Sequence, residues 1–161
     1  MQTTVGSAPI PISIYIDADA CPVKAEVYRV VERHGVVVHV VSNSAIVTPR
    51  NPMIRSVAVG PETDAADDWI AARVGPRSIV VTNDLPLADR CVKAGATVIA
   101  ANGRVFDEDS IGLAVATRNL MTDLRAAGET TGGPRAFSQR DRSAFLSVLH
   151  EAIVKLGRTG P

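Results

Sequence analysis

Five aspartates are the residues of this chain best placed to do chemistry. Asp17 and Asp19 stand in IYIDADACP, Asp64 and Asp67 in ETDAADDWI, and Asp84 in VVTNDLPLAD. Carboxylates offer only hard oxygen ligands, so a set of them suits Mg2+ or Mn2+ rather than zinc. One such ion, or a pair, can activate water and steady the leaving oxygen of a phosphodiester. Left without a cation, gathered carboxylates repel one another. Each acid also has a purely structural reading. One of Asp17 and Asp19 can cap a helix while the other closes an Asx-turn, Asp64 and Asp84 are both placed as N-caps, and Asp67 and Asp68 can form a solvated face.

The elements that must position these acids follow from the apolar pattern. Residues 12–16 form a strand, and 22–34 a helix with Pro22 in its first turn and Gly35 at its C-cap. A β-branched strand over 36–41 is followed by a loop over 42–52 that contains Asn43, Pro49 and Pro52. A short strand at 56–59 leads to a helix over 62–74, and a strand at 78–81 runs into Thr82-Asn83-Asp84. A helix over 85–94 and a strand over 97–100 complete a repeated β-α-β pattern, which argues for a right-handed, doubly wound, mostly parallel sheet. Two further helices are expected at 110–127, capped near Asp107 or Asp109, and at 138–156, where Ser138 to Asp141 reads as a capping box with aspartate in the glutamate position. Asp17, the Asp64/Asp67 pair and Asp84 each come within a few residues of a strand end. In an open α/β sheet that edge is where ligands bind.

The 161 residues fit one domain, expected over 12–156, with a flexible N-terminus at 1–11 and a flexible tail at 157–161. Net charge is zero, so no whole-molecule attraction to nucleic acid is expected. Only three of the 17 basic residues are lysines, an arginine skew that base composition alone can produce. Cys21 and Cys91 form no CxxC pair, as expected in a reducing, cytoplasmic setting. A thiol mechanism at Cys21 has no histidine or arginine at a recognisable spacing. The first eleven residues carry no basic n-region and no apolar run reaches membrane length, so neither a signal peptide nor a membrane span is expected, and His34, His39 and His150 fall beside no acidic motif.

Four segments in order, IYIDADACPVKAEVYRV, DAADDWI, VVTNDLPLA and GGPRAFSQRDRSAF, resemble the bacterial YaiI/YqxD family over roughly Ile12 to Leu156. The resemblance implies a PIN-like, three-layer α/β/α domain with two additional C-terminal helices. It is similar to PIN and NYN ribonuclease domains, in which a few acids hold a divalent metal for phosphodiester cleavage. It therefore implies a Mg2+- or Mn2+-dependent nuclease acting on RNA. Asp17, Asp67 and Asp84 match the catalytic acids, and Asp19 and Asp64 join them as metal ligands. Asp67 holds the acid position of an xAAD or xVAD pattern, whereas Asp68 has no motif position. Glu26 matches weakly a further glutamate of an early PIN helix. The GGPRAFSQRDR segment has no counterpart in ordinary PIN domains. Its Arg135, Ser138, Arg140 and Arg142 can fold back onto a substrate phosphate, or serve only as cap and solvated charges.

Two other classes compete. Asp17-Ala18-Asp19 also resembles the first motif of haloacid-dehalogenase-type phosphatases, with a nucleophilic first aspartate. That family needs a lysine before its last motif, and the only lysine in the interval is the badly placed Lys24. A non-catalytic metal- or RNA-binding protein is the other alternative, although scattered aromatic residues give no single-strand stacking platform.

Overall fold

The computed structural model describes residues 11–126, 128 and 136–159. Strand β1 (Ser13–Asp17) ends in a 3-10 turn (Ala18–Ala20) and leads to helix α1 (Lys24–His34). Then come β2 (Val37–Ser42), β3 (Ile54–Ala58), α2 (Ala65–Ala71), β4 (Ser78–Val81), α3 (Leu85–Lys93), β5 (Thr97–Ile99), β6 (Val105–Phe106), α4 (Glu108–Ala126) and α5 (Gln139–Thr159). The sheet order is β3-β2-β1-β4-β5-β6, with every neighbouring pair parallel except β5 and β6.

Period-two side-chain alternation divides the core into two halves. Ile14, Ile16, Val38, Val40, Ile79 and Val81 point to one face and pack with Val27 and Val31 of α1 and Phe145, Leu149 and Ile153 of α5. Tyr15, Val80 and Val98 point to the other, against Ile70 of α2, Leu87 and Cys91 of α3 and Ile111 of α4. The expected three-layer α/β/α architecture is therefore the observed one.

Local chemistry explains most boundaries. Gly35 ends α1 in the left-handed region at φ 67°, and its N–H donates to the Val31 carbonyl over 2.8 Å. Asp107 and Ser110 cap α4 reciprocally, each accepting the other's N–H at 2.8 Å. The Asp141 carboxylate accepts from the N–H and hydroxyl of Ser138 at 2.9 and 3.1 Å, which is the capping box expected at α5. Gly103, at φ 93°, lets the β5–β6 turn approach α5 so closely that a Cβ would lie 2.9 Å from the Ala144 carbonyl carbon.

Several expectations change. Helix α2 is shorter than 62–74, because its ends are taken by the turns at Asp64 and before Gly75-Pro76. Helix α5 continues to Thr159, so residues 157–159 belong to a helix instead of a tail. Strand β6, two residues long, has no counterpart among the expected elements. The N-terminus over 1–10 and Arg135 lie outside the described residues.

Candidate metal centre

The chain reverses its winding between β1 and β4, the two central strands, and their carboxyl ends frame a cleft of about 380 Å3. Asp17 is the last residue of β1, and Ile16 pairs with Val81, so Asp17 and Thr82 emerge side by side. The buried Thr82 hydroxyl donates to Asp17 Oδ2 over 2.9 Å and accepts the Asp84 N–H over 3.0 Å. Asp84 is also the N-cap of α3, where its Oδ1 accepts the Leu87 N–H at 2.9 Å. The cap leaves its Oδ2 without a hydrogen bond among the described residues.

Asp19 links β1 to β2. Its Oδ1 accepts the Ser42 hydroxyl at 2.5 Å and its Oδ2 the Asn43 N–H at 3.1 Å. Asp67, in the first turn of α2, closes the cleft on the other side. Asp17, Asp19, Asp67 and Asp84 all line this space, and no lysine, arginine or histidine among the described residues does.

The consequence is electrostatic. Burial, followed by the charges of Asp84, Asp17 and Asp64, pushes the Asp67 carboxyl up to about 6, and Arg90 only partly opposes this. Asp17 is also raised, chiefly by burial and against the Thr82 hydrogen bond, with Asp84 and Asp19 adding repulsion. Asp67 keeps both oxygens, and Asp17 its Oδ1, free of hydrogen bonds among the described residues. Asn43 lines the same cleft, and its buried Oδ1 has no partner among them. Unpaired oxygen donors and uncompensated negative charge are what a hard divalent cation would satisfy. As the side chains stand, no three or more His, Cys, Asp or Glu groups converge closely enough to hold an ion among the described residues.

The remaining expected residues lie elsewhere. Asp64 is exposed and does not line the cleft, so it acts on Asp67 only through its charge. Asp68 pairs with Arg90 at 2.8 Å on the surface. Ser138 is engaged in its cap. Arg142 donates to the Pro22 carbonyl at 2.7 Å and approaches the buried Glu26 at 3.4 Å, tying α5 to the start of α1. Neither Ser138 nor Arg142 lines the acidic cleft. Cys21 does, but burial pushes its thiol up, which keeps it protonated at neutral pH.

Comparison with known proteins then places the chain. The family model described as "Uncharacterized BCR, YaiI/YqxD family" matches residues 15–155. The chain belongs to the YaiI/YqxD family. Within this family, a UPF0178 protein of Nitrobacter winogradskyi is 63% identical over 147 residues, covering 91% of this chain and 94% of the relative. One from Rhodopseudomonas palustris strain BisB18 is 62% identical over 149 residues, covering 92% and 96%. One from Azorhizobium caulinodans is 60% identical over 156 residues, covering 97% and 98%. No solved structure gives a significant match.

The raised Asp67 carboxyl has a measurable consequence for this YaiI/YqxD protein. In the cation-free state the folded chain holds a proton on Asp67 at pH values where the unfolded chain has released it. The associated stability is full below the unfolded carboxylate pKa and is lost as pH rises through about 6. Urea unfolding in EDTA should therefore give a lower stability at pH 7 than at pH 5. Asp67→Asn should remove about 1 kcal/mol of that difference, because solvent screens part of the repulsion at a partly exposed carboxylate. An identical pH dependence in wild type and variant would contradict the assigned electrostatics.

Proposed function

We propose that this protein is a divalent-metal-dependent nuclease that hydrolyses phosphodiester bonds in RNA. The supporting observation is the cleft at the β1/β4 crevice, which four aspartates and Asn43 line with no cationic side chain among the described residues. The resemblance to PIN and NYN ribonuclease domains supports RNA as the substrate. Asp17, Asp67 and Asp84 would hold one or two Mg2+ or Mn2+ ions, with Asp19 and Asn43 at the β2 side. When bound, the ion supplies an activated water and charge stabilisation for the leaving oxygen.

The chain's own residues perform the remaining work. Thr82 fixes the carboxylate of Asp17 and the backbone of Asp84 through one hydroxyl. The Ser42 hydroxyl and Asn43 N–H hold Asp19 in place from the end of β2. Asp67, whose carboxyl is raised to about 6 in the cation-free protein, would give up its proton on taking up a cation, so metal binding should weaken as pH falls through that range. The phosphatase reading has less support. Lys24 donates to the Ala18 carbonyl at 3.1 Å and does not line the cleft, so no lysine is in place to balance a phosphate among the described residues. Among the described residues no helix is long and apolar enough to cross a membrane.

Calorimetric titration with Mn2+ tests the metal centre. Wild type should bind, and Thr82→Val, which removes the hydroxyl that orients Asp17, should weaken binding about tenfold. Equal affinity in Asp17→Asn and wild type would remove the site from consideration.

A further inference from the structure

A second cleft, of about 390 Å3, adjoins the acidic one and shares Asn83 and Ala101 with it. It lies between the β5–β6 turn and the start of α5. Its lining combines an arginine with an exposed aromatic ring. The Arg104 guanidinium stands 5.0 Å from the Phe106 ring centroid and makes no ion pair among the described residues. Phe137 remains 37% exposed, although Arg142 stands over its ring at 5.0 Å. Arg142 is itself anchored to Pro22 and Glu26, so the ring is held against a fixed support.

The polar groups at the junction are equally defined. Asn83 Oδ1 accepts the Ala101 N–H at 2.9 Å, which orients the amide and leaves its NH2 as a donor between the two clefts. The Asp141 carboxylate also lines the second cleft, but it is buried and bonded to Ser138. A partly exposed ring beside an arginine that makes no ion pair among the described residues matches a nucleotide, which offers a flat base to one and a phosphate to the other.

We propose that this second cleft holds the nucleotide next to the scissile phosphodiester of a single-stranded RNA, with its base stacked on Phe137 and its phosphate on Arg104. The choice of substrate rests on the nuclease reading, but binding can be measured without cleavage. Fluorescence anisotropy of a labelled RNA octamer in EDTA, using the full chain, provides the test. Phe137→Ala and Phe137→Leu should each weaken binding about tenfold, because both remove the π-face and the second retains bulk. Arg104→Gln should weaken it and lower the slope of log affinity against log salt by about one.

Affinities unchanged in the Phe137 and Arg104 variants would overturn the proposal, as would a wild type that binds no RNA. A DNA octamer bound equally well through the same residues would overturn the assignment to RNA. Wild-type RNA binding that depends on both residues, without cleavage in Mn2+, would sustain this subsite and defeat the nuclease reading. Cleavage that is indifferent to both residues would do the reverse.

Discussion

Asp17→Asn combined with Asp84→Asn should lower Mn2+-dependent cleavage of single-stranded RNA by about a thousandfold or more. The two substitutions preserve shape and remove charge. An amide oxygen introduced at position 17 can still accept the Thr82 hydroxyl. Asparagine is as good an N-cap as aspartate, so the side chain introduced at position 84 can still accept the Leu87 N–H. Because the charges removed are mutually repulsive in the cation-free protein, the double variant should unfold at the same urea concentration as wild type, or higher. Activity and stability should therefore move apart. Asp68→Asn is the matched control, since Asp68 is exposed and paired with Arg90 away from the cleft. It should cleave at the wild-type rate. Rates for the double variant equal to those of Asp68→Asn would end the nuclease proposal.

The second large effect concerns stability. Phe145→Ala should destabilise the protein by about 3–5 kcal/mol, measured by urea unfolding in EDTA. Phe145 is fully buried and is among the largest side chains sealed in the core. It comes from α5 and packs in the same half-core as Val27 and Val31 of α1. Truncation would leave a cavity in a half-core built mostly of β-branched side chains, which relax poorly. The loss should appear in the midpoint with little change of slope. A cost below about 1 kcal/mol would mean that α5 is not an integral part of the core.

That Asp17, Asp19, Asp67 and Asp84 line one cleft is legible in the sequence because each follows a strand of a repeated β-α-β pattern. Apolar alternation locates the strands, and parallel topology brings their carboxyl ends to one edge. Asp64 belongs to the same motif but sits outside the cleft, a difference set by the first turn of α2 that spacing does not resolve. Thr82 and Asn43 escape a reading of the sequence for a different reason. Neutral side chains carry no charge pattern, and their importance depends on β1 lying between β2 and β4, which is a fact of strand order. Thr82-Asn83-Asp84, placed directly after a strand, is the available signal. Ser138 and Arg142 illustrate the limit in the other direction. Their segment reads equally as a phosphate clamp or as a helix cap with solvated charges, and the structure has Ser138 in the cap and Arg142 tying α5 to α1. Strand β6 is too short to produce any periodicity.

The position of α5 in the chain has a consequence for biosynthesis. The first helix lies on a sheet face that is finished only by Phe145, Leu149 and Ile153. Without these residues, Ile14, Ile16, Val27 and Val31 would belong to an apolar surface that has no lid. The α2/α3/α4 face can assemble earlier, since its last core residues are Ile111 and Ala114. A chain that lacks α5 should therefore fold on one side and stay adhesive on the other, the kind of species chaperones retain. A premature stop before Phe145 would leave an intact set of acidic residues on a protein prone to aggregate.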